Sequence, residues 1–395
     1  MVKFIISFVV VCIMLSWNGD VVNAEEIDDE IVEDEEIQEE FEELLESDEL
    51  ERQWQELLTE YRDYMPLNQT DSWRDIISDG SIFSPSDWLH GITRFFLNEW
   101  IVNGKTLGML IFLTLLSVLL KVLIHSFENK SVAKVSYLVI FGVLMTIAVA
   151  SFHQAVTYTI DAIEAMSHFM ISLLPLFLSM MAAFGNVATV AFFNPFILFF
   201  TQISGVFVST IIVPLFFLSA ILNIATEVNE EYNVSQLANL LKQVAFILMG
   251  GFLTIFLTVM SLQGVNTAAA DGIAVRAAKF VTSNFIPVVG RMFTDATDTV
   301  LSASLLIKNT VGIAGIVVIL IITLFPVLKV LVLGLIFRVA AALLQPVADG
   351  PIVNMIDGMG KHILYILLAL LMVSIMFFFS LVMLVIIGNM SLMIR

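Results

Sequence analysis

Residues 311–336 read V-G-I-A-G-I-V-V-I-L-I-I-T-L-F-P-V-L-K-V-L-V-L-G-L-I, an unbroken apolar run whose one ionisable side chain is Lys329. A helix needs about 20 apolar residues to cross a bilayer, so this run predicts a membrane span. Outward from it, further apolar runs fall at 107–125, 136–156, 169–184, 187–203, 204–225, 244–262 and 363–388. The chain is 58% hydrophobic and 14% charged, with mean hydropathy +0.94. That composition excludes an ordinary soluble domain and predicts an all-α, polytopic membrane protein.

Runs 169–184 and 187–203 are short and are separated by Gly185-Asn186. One bent element, a re-entrant hairpin and two separate spans all fit them. Counted as a single crossing, they bring the expected total to about seven spans. Lys121, Lys130 and Lys134 follow the first run, while Asp161 and Glu164 follow the second. With an exported amino terminus this order obeys the positive-inside bias. Seven crossings place Glu227, Glu230 and Glu231 outside and the basic stretch 263–308 and Arg395 inside, and leave Arg338 and Lys361 outside, where they fit less well. Lys121 and Lys329, near the ends of apolar runs, are expected to snorkel.

Between two of the runs lies a polar insert, Gln263 to Lys308, inside a membrane domain expected over 104–395 with the insert bounded at 263–310. It carries Asp271, Arg276, Lys279, Arg291, Asp295, Asp298 and Lys308. Irregular backbone cannot face hydrocarbon, so the insert must sit at the surface, line a cavity or be enclosed by protein. On a helix, Arg291 and Asp295 are i, i+4 and Asp295 and Asp298 are i, i+3, one face. With Thr294 and Lys308 they form a candidate polar path or buried network, since ionisable groups at membrane depth are functional candidates. A hydrated cytoplasmic helix is the plainer alternative. Pro175, Pro214, Pro287 and Pro326 are candidate helix breaks. The 39-residue spacing from Pro175 to Pro214 recurs from Pro287 to Pro326, which suggests an internal repeat of the kind transporters use.

The amino terminus reads as a signal peptide over 1–24: Lys3, an apolar run from Phe4 to Leu15, and Val22-Asn23-Ala24 before the cut. Its apolar run is too short to cross a bilayer. Cys12, the chain's one cysteine, lies in that run, so no disulfide or cysteine metal site is expected after cleavage. Residues 25–63 hold 20 acidic and 2 basic side chains, which is 18 of the 19 net negative charges. An exported acidic and helical segment over 25–103 is expected, and no nucleic-acid partner. Trp54, Leu57, Leu58 and Tyr61 fall at i, i+3, i+4 and i+7 on one helix face. Ser84-Pro85-Ser86-Asp87 opens a second helix, with Trp88, Leu89, Ile92, Phe95, Phe96 and Trp100 on one side. That helix suits either the membrane interface or the core of a small external domain.

Catalytic motifs are absent from the sequence: it has no His-Glu-x-x-His, Gly-x-Ser-x-Gly or Gly-x-x-x-x-Gly-Lys-Ser/Thr. The five histidines, at 90, 125, 153, 168 and 362, show no ligand spacing. The expectation is a non-enzyme without cofactor or metal.

Several strings resemble the stage III sporulation protein AE family of endospore-forming bacteria. They are Phe83-Ser84-Pro85-Ser86-Asp87-Trp88, Asn103-Gly104-Lys105-Thr106-Leu107-Gly108, Gln236-Leu237-Ala238-Asn239-Leu240-Leu241 and Gly290-Arg291-Met292-Phe293-Thr294-Asp295-Ala296-Thr297-Asp298-Thr299. The resemblance covers essentially the whole chain after the signal peptide. It implies a multi-pass protein of the mother-cell membrane around the forespore, its amino-terminal segment facing the intermembrane space. It further implies a permease-like subunit of the channel complex, or feeding tube, beside a secretion-type ATPase and ring-forming subunits. It supplies no catalytic residues. A non-transporting scaffold that recruits other components and an independent ion-coupled transporter are the alternative readings.

Overall fold

Hydrocarbon offers no water to peptide groups, so a chain this apolar must hydrogen-bond its backbone within itself. Every described element is accordingly helical. The structure, a computed structural model, describes residues 48–65, 85–126, 130–183, 199–228, 234–285, 289–347 and 350–393. Within these, the side chains at 121–134, at 261–310 and at some helix-end positions lie outside the description. The expected signal peptide, Cys12 and Pro287 fall outside the described residues.

α1 runs over Asp48–Tyr61 and is followed by a 3₁₀ turn, Arg62–Tyr64. α2 is Pro85–Ser126, starting at the proline that the sequence places first, and α3 is Lys130–Ala183. α4, Val213–Val228, is entered through helical residues 199–207 and a π-turn at Val208–Ile212. α5 is Ser235–Phe285, α6 is Val289–Leu344 and α7 is Pro351–Met393.

Among the described residues, six helices are long and apolar enough to cross a membrane, against the expected seven. They are Ser86–Leu120, Leu138–Phe177, Phe199–Glu227, Ser235–Met260, Ala314–Leu344 and Pro351–Val385. The difference lies at 169–203. Its first part is the end of α3, its last part belongs to the helix that begins at Phe199, and 184–198 lies outside the described residues. Residues 157–168 carry Asp161 and Glu164 but neither glycine nor proline, so nothing there stops the α3 helix. The insert behaves alike: its backbone is helical to Phe285 and again from Val289. Pro175 and Pro326 sit inside continuous helices, so neither is a break. A proline removes one backbone hydrogen bond, and packed neighbours can hold a helix through that loss. Pro214 follows the π-turn, where Val213 N–H reaches Val208 O; the wider turn accommodates a ring that cannot donate.

The helices pack antiparallel in a chain of seams. α6 lies against α7 from Arg338–Asp357 through Gly334–Leu364 to Gly312–Val385. α3 lies along α6 from Lys329–Tyr158 through Thr323–Met166 to Gly315–Leu173. α4 meets α7 at Phe216–Tyr365, Ser219–His362 and Glu227–Asn354. α4 also meets α5 at Ser219–Ala238 and Phe216–Phe246. In the α6 and α7 spans 61% of positions are buried, against 22% in the spans of α2 and α5. The centre is therefore the α6–α7 pair. The outer helices expose Ile101, Phe112, Leu119, Ile247 and Ile255, as side chains facing lipid do.

Lipid tails are as apolar as leucine, so tight seams in a membrane depend on small residues rather than on expelled water. At Gly360 a Cβ would lie 3.1 Å from Phe337 Cβ and 3.2 Å from the Arg338 backbone nitrogen, neither of which can swing aside. Gly104 on α2 has nothing within 4 Å of the same position. Gly360→Val is expected to destabilise the bundle by about 1–3 kcal/mol through overpacking, while Gly104→Val leaves it unchanged. Thermal unfolding of the two detergent-solubilised variants checks this.

Candidate functional site at the α1 contact

α1 is acidic on one side and apolar on the other. Its apolar face, Leu50, Trp54, Leu58 and Tyr61, with Met65 just beyond, is buried on the bundle. Leu57, expected on that face, is only half-buried. The dock has three walls. On α3, Ser172 Oγ accepts a hydrogen bond from Gln53 Nε2 at 3.2 Å. On α6, Phe325 stacks on Tyr61, with ring centroids 4.2 Å apart and planes within 6°. On α2, Phe95 meets Tyr61, Tyr64 and Phe325 edge-on at 6.0, 5.0 and 4.9 Å. Gly91 lies one turn before Phe95, and any Cβ there would overlap the Tyr64 carbonyl. Each aromatic pair contributes about 0.5–1.5 kcal/mol beyond its buried area.

At the centre stands Lys329, which lies in the α6 span. Its ammonium donates to Glu60 Oε1 at 2.6 Å and to the Tyr61 hydroxyl at 3.4 Å. The rings of Tyr61 and Tyr158 flank it, each centroid 5.2 Å away. Glu99 of α2, held by Asn103 at 3.0 Å, is a second carboxylate within electrostatic reach. Burial, and then the neighbouring Glu60, push the Tyr61 phenol well above its ordinary range, so it stays neutral. The snorkelling expected of Lys329 is therefore corrected. Its side chain is only 16% exposed, and α1 brings a carboxylate to it.

A charge at this depth costs about 2.5–3.5 kcal/mol on insertion scales. Glu60 is 56% exposed, so the pair as a whole adds little stability. The dependence is one-sided: Lys329 loses its carboxylate if Glu60 goes, whereas Glu60 regains water. Among the described residues no group of three or more His, Cys, Asp or Glu side chains is placed to hold a metal. A recess of about 250 Å³ beside the pair is lined by Gln55, Leu58, Thr59, Glu60, Arg62 and Asp63, all from α1 and its following turn. The site is therefore a docking contact with ion-pair chemistry.

The residues singled out from the sequence lie elsewhere. Arg291, Thr294, Asp295, Asp298 and Lys308 have α6 backbone beneath them, but their side chains lie outside the described residues. Lys329 enters the sequence reading only as a snorkelling lysine, not as a site residue. The signal for it was a lone lysine seven residues inside a 26-residue apolar stretch, together with Glu60 beside the last apolar residue of an amphipathic helix.

The pair gives a charge-swap expectation. Cysteines introduced for Gln53 and Ser172 should be joined by a short bifunctional thiol reagent when α1 is docked. Glu60→Lys should cut that yield several-fold, and Glu60→Lys with Lys329→Glu should restore it. Unchanged yield in Glu60→Lys would show that the aromatic contacts alone hold α1.

Comparison with known proteins gives a consistent result. The profile described as stage III sporulation protein AE matches residues 67–388. The stage III sporulation protein AE of Bacillus subtilis (strain 168) is 46% identical over 338 residues, covering 86% of this chain and 85% of that protein. No solved structure matches. An all-helical membrane bundle, matched over most of its length at that identity, belongs to the stage III sporulation protein AE family.

Proposed function

We propose that this chain is a permease-like membrane subunit of the channel complex between mother cell and forespore. In this reading it sits in the mother-cell membrane, with its amino-terminal segment toward the intermembrane space. Its partners are the other stage III proteins, including a secretion-type ATPase and ring-forming subunits. The observation that carries the reading is the Lys329–Glu60 contact, which joins a helix that does not span the membrane to the central helix of the bundle.

If the six described spans alternate and the chain starts outside, Lys242, Arg338 and Lys361 fall on the same side as Lys121, Lys130 and Lys134, in keeping with the positive-inside bias, while Arg276, Lys279, Arg291 and Lys308 of the insert fall on the other. The insert 263–308 then falls on the α1 side, where Arg291, Thr294, Asp295, Asp298 and Lys308 form the polar path of the subunit. A scaffold that only recruits other components is the second reading, favoured by the uncovered apolar faces of α2 and α5.

Two measurements on one set of strains test the proposal. Single cysteines along 263–308, probed with an impermeant thiol reagent, are expected to label from outside, with protection around Asp295 and Asp298. Asp295→Asn with Asp298→Asn is expected to lower heat-resistant spore yield about tenfold or more at unchanged membrane level, as loss of functional intramembrane charges should. Uniform labelling with a normal spore yield would sink the polar path and leave the scaffold.

A further inference from the structure

The end of the bundle near the α6–α7 turn gathers charges at one depth. Glu227 lies two positions after the apolar run 204–225, and Lys242 two before 244–262. Arg338 lies two after 311–336, and Lys361 two before 363–388. A charge at the edge of an apolar run sits at the level of lipid headgroups. The contacts bring these four helices together there. Asp357 accepts from Arg338 Nη1 at 2.9 Å on one oxygen and from Lys361 Nζ at 2.6 Å on the other. Glu227 accepts from Asn354 Nδ2 at 3.4 Å. Lys242 Nζ donates to the neutral Asn239 Oδ1 at 2.8 Å, and both lysines lie within electrostatic reach of the buried His362 ring.

We propose that this rim, formed by Arg338, Lys361 and Lys242, binds the phosphate of an anionic phospholipid. Asp357 takes one donor from Arg338 and one from Lys361, and Lys242 meets only a neutral amide oxygen in the described contacts. A guanidinium has five N–H donors and an ammonium three, so both keep donors for a phosphate. Their side chains are 42% and 50% exposed, within reach of a headgroup. Gly360 leaves no side chain where Arg338 Cγ passes over α7, only 3.0 Å from where a Cβ would stand. The Arg338 stem therefore lies flat, and its planar fork is presented at the rim, a geometry suited to phosphate oxygens. Val244, Ile247 and Leu248 are exposed on α5, on the hydrocarbon side of Lys242, and give acyl chains an apolar surface. Basic pockets between membrane helices at headgroup level are the setting in which anionic lipids are held.

The test is lipid retention by the purified full-length protein, read by native mass spectrometry after exposure to mixed phosphatidylglycerol and phosphatidylcholine. The wild type is expected to keep phosphatidylglycerol several-fold over phosphatidylcholine. Arg338→Gln with Lys361→Gln should abolish that preference, and Lys242→Gln should reduce it. Asp357→Asn is the separating variant. Removing the competing carboxylate should keep or raise retention, whereas a purely structural ion network predicts a fall alongside the arginine and lysine changes. Equal retention of the two lipids by the wild type, or a fall in Asp357→Asn, overturns the site. Displacement of the lipid by millimolar inorganic phosphate would overturn the lipid assignment in favour of free phosphate. Should the double variant not fold, Lys242→Gln and Asp357→Asn still decide the outcome by their opposite expected signs.

Discussion

The close antiparallel approach of α6 and α7 is the constraint on which the other contacts depend. Gly312, Gly315 and Gly334 on one helix and Gly360 on the other let side chains from the facing helix settle against bare backbone. In hydrocarbon this is where association energy comes from, because burying leucine against leucine releases no water. α3 uses the same surface: Leu173 and Phe177 pack at Gly315 and Gly312 beside Leu381 and Val385 of α7. α4 then closes over α7, where Asn223 covers Gly358 and Ser219 meets His362. The outer helices are positioned by this sequence of seams, which explains why their far faces can be almost uniformly apolar and exposed.

Lys329 shows what that centre does with a charge. Elsewhere the α6 span is filled by Val318, Ile322, Phe325 and Val330, all buried, and an ammonium among them needs a partner that the span itself does not supply. The partner comes from α1, a helix poor in membrane-forming character. A contact of this kind contributes specificity more than stability. A mispositioned α1 leaves Lys329 without its carboxylate, so one register is selected among many apolar ones. The stack of Tyr61 on Phe325 and the edge contacts of Phe95 supply the packing that the ion pair does not.

Class and composition were legible in the sequence because apolar runs long enough to cross a bilayer have no other use. The buried face of α1 was legible too, from the spacing of Trp54, Leu58 and Tyr61. Helix ends were harder. The charges at 157–168 and in the insert resemble loops by polarity, yet polarity does not stop a helix and residues with the right propensities carry it through. That is how the start of the run at 169 came to continue α3 instead of opening a helix of its own. That Glu60 is the acid meeting Lys329 was not legible: the two stand 269 positions apart, and local periodicity says nothing about which acid meets which base. The Arg338–Asp357–Lys361 group was half legible, since Asp357 and Lys361 are i, i+4, while the arginine joins from another helix.

Helix length joins the two ends of this molecule. α6 has 56 residues, roughly 84 Å at 1.5 Å per residue, although a bilayer core is only about 30 Å thick. Much of it must therefore extend past the hydrocarbon, and the stretch with Arg291, Asp295 and Asp298 belongs to that extension. A long helix is stiff except where its hydrogen-bond ladder is interrupted, and a proline is the commonest interruption. In α6 that point is Pro326, whose ring withholds a donor from the Ile322 carbonyl. The residue immediately before it is Phe325, held between Tyr61 of α1 and Phe95 of α2, and Lys329 follows one turn later. α1 thus grips α6 at the place where it bends most easily.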